Sequence, residues 1–210
     1  YVEPQGTALL SNARAGGSSP WGQRRTFEVD HVFSEVSSTE SGQEMQERLY
    51  KVLGARLLES VVDGNGRGGS LLAYGESGSG KSHSILGYGE EPGLLPRLCF
   101  DIFSLRAAGI DAGLPSLHIW CSFFELWQDH IRDLLRADAP GECAPKVEIC
   151  EFPSAVCLPL LTESMVTSIE DVQHLVDYGN KIRVATARQS HMSPRPHIVF
   201  SLRVEAIATG

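Results

Sequence analysis

With 210 residues, 42% of them hydrophobic, the chain can bury one substantial core and is too short for two large domains to be the expected arrangement. A formal net charge of -8 sets the overall field against nucleic acid and anionic membrane, each of which would need a local basic patch. No apolar run reaches the roughly 18 to 20 residues of a membrane span, and the start YVEPQGTALLSNARAGGSSP lacks the charged-then-apolar order of a signal peptide, so the sequence reads as soluble and intracellular.

Residues 1 to about 24 are rich in Gly, Ser and Pro and show no periodicity, which predicts a mobile leader or a long loop. TFEVDHVF then alternates, with Phe27, Val29 and Phe33 on one side, as a half-buried strand does. From Glu44 to Val62 the apolar residues Met45, Leu49, Val52, Leu53, Leu57, Leu58, Val61 and Val62 recur at helical spacing. DGNGRGGS ends that helix, and the apolar run SLLAY at 70–74 predicts a strand. Beyond the glycine-rich segment that follows, Leu95, Leu98, Cys99, Ile102 and Phe103 predict a second helix beginning near Pro96.

SLHIWCSFFEL has apolar residues on both faces, as a strand in the middle of a sheet does. KVEICE predicts a shorter strand. Ser168 with Asp171 resembles a capping box opening the helix IEDVQHLVDYGNKIRVATA. The last strand, HIVFSLRVEAIA, places Ile198, Phe200, Leu202, Val204 and Ala206 on one side and His197, Ser201, Arg203 and Glu205 on the other. Strands alternating with helices define an α/β domain with a largely buried sheet, without internal repeats.

Cys99, Cys121, Cys143, Cys150 and Cys157 form an odd set lacking a Cys-x-x-Cys pair. The last three are evenly spaced, but no histidine stands near them. They predict reduced, mostly buried thiols rather than a metal site.

Residues 75–82, GESGSGKS, fulfil the pattern G-x-x-x-x-G-K-[ST]. Gly75, Gly78 and Gly80 let the backbone of Glu76, Ser77 and Ser79 bend so that successive N–H groups converge on phosphate oxygens. Lys81 adds a cation at the β and γ positions, and the Ser82 hydroxyl is the residue type that ligates Mg²⁺. The helix that follows would turn its positive end to the same phosphates. The loop alone leaves ATPases, GTPases and small-molecule kinases open.

The order of other segments around this loop resembles the kinesin motor domain. FEVDHVF is similar to the family's F-x-F-D-x-V-F strand, with Val29 in place of the second Phe, and AYGESGSGKSHSILG is similar to A-Y-G-Q-T-G-S-G-K-T-x-T-M-x-G. GLLPR at 93–97 resembles G-I-I-P-R, FFELWQDHIRDLL at 123–135 resembles S-x-x-E-I-Y-N-E-x-I-x-D-L-L, and VTSIEDVQHLVDYGNKIRVATA continues the series. The matches span about residue 27 to 207. The resemblance implies a P-loop NTPase-type α/β fold, a central mixed sheet flanked by helices and incomplete at both ends, with a leader over 1–24 and a partial motor domain over 25–210. It implies ATP or ADP with Mg²⁺ held by Gly75, Glu76, Ser77, Gly78, Ser79, Gly80, Lys81 and Ser82, and the adenine against His83. Tubulin and the microtubule are the implied partners, in the cytoplasmic cytoskeleton, with no residue selecting a cilium or flagellum. Other cytoskeletal proteins are secondary candidates, and dimerisation would rest on segments outside this sequence. For Glu125, Trp127, Asp133 and Leu134 a packing role is expected instead.

The first nucleotide sensor of the family reads N-x-x-S-S-R-S-H, and SHMSPRPH at 190–197 aligns with it. Ser193 and Arg195, the candidate catalytic pair, are retained together with His197. Ser190 replaces Asn, while Pro194 and Pro196 replace two serines, each removing a hydroxyl and an N–H and stiffening the backbone. The second sensor, D-L-A-G-S-E, and the N-terminal R-x-R-P are not matched. DGNG at 63–66 has the D-x-x-G spacing but precedes the phosphate loop and reads as a turn. Retained nucleotide binding with impaired hydrolysis is therefore expected, and a catalytically inactive cytoskeletal module is the alternative.

Overall fold

The computed structural model describes residues 6–10, 25–33, 41–62, 68–111, 116–136, 146–153, 155–189 and 196–207. Its contacts cluster into two units, one built from 1–53 and 73–94, the other from 54–72 and 95–210.

In the first unit, strand β1 (Gly6–Leu10) pairs antiparallel with β2 (Arg25–Val29), Gly6 facing Val29 and Leu10 facing Arg25. β1 lies in a stretch expected to be irregular. β2 stops at Val29, short of the TFEVDHVF strand expected, and residues 30–33 are not strand. Helix α1 (Gly42–Leu49) opens on a capping box: Glu44 N–H donates to Ser41 Oγ at 3.3 Å and Ser41 N–H to Glu44 Oε2 at 2.8 Å. A π-helical turn (Tyr50–Gly54) leads on to α2 (Ala55–Val62), which is counted with the second unit, so helical backbone covers 42–62. The buried residue of α1 is Gln46 rather than one of the apolar series, and Val61 and Val62 at the end of α2 are exposed.

The predicted SLLAY strand does not form. Residues 70–75 are neither strand nor helix, with Leu72 85% and Tyr74 94% exposed. A strand exists only through its ladder, and none of the described residues pairs with this run. After the glycine-rich loop come α3 (Lys81–Leu86) and a two-residue hairpin, β3 (Gly87–Tyr88) on β4 (Glu91–Pro92). Gly87 makes that reversal feasible: its φ is 79°, and a Cβ there would lie 2.0 Å from the Glu91 carbonyl oxygen.

The second unit is organised by β5 (Ser116–Trp127). One edge of β5 pairs along its length with β10 (His197–Ile207), from His197 opposite Leu126 to Ile207 opposite Ser116. The other edge is shared by β6 (His130–Asp133) and β9 (Ser164–Val166), and all these pairings are antiparallel. Gln128 and Asp129 turn β5 into β6 at φ 46° and 61°, the left-handed values a tight hairpin needs.

α5 (Ile169–Gln189) packs on β5 and starts at the predicted capping box, Asp171 N–H donating to Ser168 Oγ at 3.2 Å and Ser168 N–H to Asp171 Oδ2 at 3.1 Å. α4 (Leu94–Asp111) carries Pro96 in its first turn, where no intrahelical N–H bond is lost. The core comprises Ile119, Cys121 and Phe123 of β5, Val166, Val172, Val176, Leu134, and Cys99 and Ile102 of α4. Full burial of such aliphatic and aromatic side chains contributes about 1.5 to 3 kcal/mol each.

KVEICE yields less strand than expected. Val147 makes an isolated bridge to Ile131, and β7 (Cys150–Phe152) pairs instead with β8 (Ala155–Cys157) in a short hairpin. β10 has no fully buried residue, and Ile198 of its expected inner side is exposed.

Candidate phosphate-binding site

The loop between residues 75 and 80 has the backbone that its glycines predict. Gly78 and Gly80 adopt φ of 85° and 89°, where a side chain is strained, and a Cβ on Gly75 would lie 2.5 Å from Ser79 Oγ. Ser79 N–H closes the turn on the Glu76 carbonyl at 3.2 Å. Around Gly78 and Gly80 an added Cβ would meet none of the described residues within 4 Å, so the glycines are needed there for conformation. Glu76, Ser77, Ser79 and Ser82 are exposed.

Lys81 begins α3 and turns its ammonium back over the loop, donating to the Gly75 carbonyl at 2.8 Å and the Glu76 carbonyl at 2.5 Å. These are neutral acceptors, and a phosphate oxygen is a stronger partner for the same charge. Gly80 is the N-cap of α3 and no side chain among the described residues caps the helix, so none of them takes its first N–H groups. With six residues, α3 acts through those N–H groups more than through a long dipole. The loop therefore fits a phosphate chain: bent glycine backbone, an adjacent ammonium, an uncapped helix start and an exposed hydroxyl on Ser82.

His83 is held by three neighbours. Its Nε2 lies 3.1 Å from Glu91 Oε2, and its ring stacks on Tyr88 at 5.5 Å and 15°. Gln46 Nε2 donates to the His83 carbonyl at 2.8 Å and lies 3.2 Å from ring Nδ1. The His83 carbonyl fixes the amide orientation, since only the NH₂ end can face it. Gln46 is 2% exposed, and its Oε1 is buried without a partner among the described residues. Sequence reasoning named His83 but missed Gln46, Tyr88 and Glu91. No local pattern ties residue 46 to residue 83, although a glutamine inside an amphipathic helix is a signal worth following.

Gly75, Glu76, Ser77, Gly78, Ser79, Gly80, Lys81, Ser82 and His83 are consecutive in the sequence, and all lie among the described residues. Ser190, Ser193, Pro194 and Arg195 lie outside the described residues. α5 ends at Gln189, and β10 begins at His197, which is exposed.

The segment 123–135 has the packing role expected of it. Glu125 is 5% exposed and meets its cross-strand partner Arg132 at 3.2 Å. Asp133 Oδ1 accepts from Leu135 N–H at 2.9 Å and Oδ2 from Thr162 N–H at 2.7 Å, while Leu134 is fully buried.

A glycine phosphate loop with left-handed turns, a lysine at the helix start and an α/β arrangement define a P-loop protein. The kinesin motor domain family matches residues 11–210, and this chain belongs to that family. It is 38% identical over 160 residues to the kinesin-like protein KIF14 of Homo sapiens, covering 75% of this chain and 10% of that protein. Against the kinesin-like protein KIF13B of Homo sapiens identity is 33% over 186 residues, covering 86% and 10%. Among solved structures, a KIF14 dimer in the two-heads-bound state with AMP-PNP and a microtubule superposes with a TM-score of 0.68 at 32% identity, over 85% of this chain and 49% of that one. KIF14 with ADP in complex with a microtubule gives 0.67 at 30% identity, over 85% and 50%. The fold is thus the kinesin P-loop fold, and the chain spans about a tenth of the curated relatives it matches and about half of those solved chains. No helix among the described residues is long and apolar enough to cross a membrane.

Proposed function

We propose that this chain is the nucleotide-binding part of a microtubule-associated kinesin-type motor domain, holding ATP or ADP with Mg²⁺ in the loop 75–82, with hydrolysis slowed by the altered segment 190–197. The observation that carries the reading is the loop itself, with left-handed Gly78 and Gly80 and the Lys81 ammonium lying across two loop carbonyls. ATP supplies the transferable γ-phosphoryl group. The chain supplies N–H donors from the loop and the start of α3, the Lys81 charge, the Ser82 hydroxyl for Mg²⁺, and His83 as the base-facing group. Support for the microtubule as partner comes from membership of the family and from relatives solved on microtubules. The same support favours the cytoplasmic cytoskeleton.

Impaired hydrolysis rests on sequence. Pro194 and Pro196 stand where serines bring hydroxyls, and Ser190 stands where Asn is usual. Loss of one preorganised contact to a transition state costs about 10² to 10³ in rate. The same departure favours a second reading, a pseudokinesin that grips tubulin or another cytoskeletal protein independently of nucleotide. Calorimetric titration of ATP and ADP, with and without Mg²⁺, separates the two, with Lys81→Ala as control. Mg²⁺-dependent binding that weakens about 10- to 100-fold in the variant supports the first reading. Absence of binding, or binding indifferent to the substitution, overturns it. Restoring Asn at 190 and Ser at 194 and 196 raises microtubule-stimulated turnover if the segment is the cause of slow hydrolysis; unchanged turnover removes that part of the proposal.

A further inference from the structure

The hairpin of β7 and β8 sets Cys150 directly opposite Cys157, with Glu151 opposite Val156 and Phe152 opposite Ala155. Opposed residues of an antiparallel pair have Cα atoms about 4.5 or 5.5 Å apart, depending on their place in the ladder. Both separations fall inside the range of about 4.4 to 6.8 Å that a disulfide spans, and opposed side chains leave the sheet on the same face. Both cysteines are free thiols and half-buried, so a small reagent can reach them. Cys99 and Cys121 differ: they are fully buried, and burial pushes each thiol up to about 12. That leaves them with almost no reactive thiolate at neutral pH.

We propose that Cys150 and Cys157 form a reversible dithiol–disulfide site that exchanges with a low-molecular-weight disulfide of the glutathione class. One cysteine thiolate attacks a sulfur of glutathione disulfide, forming a mixed disulfide and expelling one glutathione thiolate. The other cysteine gives up its proton and attacks the protein-side sulfur of that mixed disulfide, forming the Cys150–Cys157 bond and expelling the second glutathione thiolate. The two thiol protons end on the two glutathiones. The cysteine pair is oxidised by two electrons and glutathione disulfide is reduced by two. The consequence is local: a hairpin of three residue pairs is marginal by itself, and the bond would fix the display of Phe152 and Val156, which are 60% and 67% exposed.

The test uses a convenient feature of the sequence. Glu142, Glu148, Glu151 and Glu163 place Cys143, Cys150 and Cys157 on three separate fragments after cleavage at glutamate. The protein is incubated with glutathione disulfide, its remaining thiols are alkylated, and it is digested without reductant and weighed by mass spectrometry. The expected product is fragment 149–151 joined to fragment 152–163, lost on treatment with reduced glutathione, absent in Cys157→Ser and retained in Cys143→Ser. Separate glutathione adducts on Cys150 and Cys157, a bridge through Cys143, or two alkylated thiols at 150 and 157 would each overturn the proposal. The result on the unsubstituted protein decides by itself, whatever the variants do to folding.

Discussion

Gly179 of α5 approaches Phe123 of β5 so closely that a Cβ built on the glycine would lie 2.3 Å from ring Cδ1 and 2.5 Å from Cε1. The ring has little freedom to retreat, because Phe200 meets it edge-on at 5.5 Å from the neighbouring strand. Helix-to-sheet spacing in the second unit is therefore set by a missing side chain. Gly179→Ala gains up to about 1 kcal/mol of helix propensity and loses about 1 to 3 kcal/mol to overpacking. We expect net destabilisation, read as a lower urea midpoint, with partial recovery when Phe123→Leu is added. A midpoint that rises in Gly179→Ala would show that the ring yields freely.

At Gly78 the reasoning runs the other way. None of the described residues lies within 4 Å of a Cβ there, so the penalty for Gly78→Ala comes from its φ of 85°. That penalty is about 1 to 2 kcal/mol and falls on an exposed loop. The folded chain should keep its circular dichroism and lose about 10-fold or more in affinity for Mg²⁺-ATP, as relaxation of residue 78 out of the left-handed region turns the loop N–H groups aside. Equal affinity in the two proteins would dissociate the glycine from the cradle.

Acid should weaken the start of α5. The Asp171 carboxyl is held below the usual aspartate range, first by the Thr167 N–H, then by the Thr167 hydroxyl and the Ser168 N–H. Glu170 is also held low, by its own N–H and the Ser168 hydroxyl. A carboxyl with a depressed folded value contributes its stability fully above the unfolded value, about 3.9 for Asp and 4.3 for Glu, and loses it as pH falls through the folded value. Stability measured by urea unfolding should decline below about pH 4, and Asp171→Asn should be less stable at neutral pH with a shallower acid decline. An unaltered slope in that variant would assign the acid sensitivity to other carboxyls.

What was legible in the sequence depended on how local its cause was. The α5 capping box, the α4 periodicity and the buried β5 strand are set by neighbouring residues, and each appears where expected. The glycine loop was legible for the same reason, since a few positions dictate its bends. SLLAY was not, because an apolar run becomes a strand only with a partner, and Leu72 and Tyr74 instead stand exposed. The His83 surroundings were equally invisible: Gln46, 37 residues away in sequence, reaches the His83 carbonyl through tertiary packing alone.

Asp133 offers a way to separate the fold from the site. Its two oxygens accept one N–H each, from Leu135 just beyond β6 and from Thr162 ahead of β9, so a single carboxylate ties two chain segments together. Asn at this position keeps one acceptor and sets an NH₂ group against the other donor. Leaving one half-buried N–H unpaired costs about 1 to 3 kcal/mol. Asp133→Asn should therefore lower the unfolding midpoint while Mg²⁺-nucleotide affinity, measured well below that midpoint, stays within about 2-fold of the parent, or about 0.4 kcal/mol. A large loss of affinity with stability preserved would mean that Asp133 serves the site rather than the sheet, against the geometry of both its hydrogen bonds.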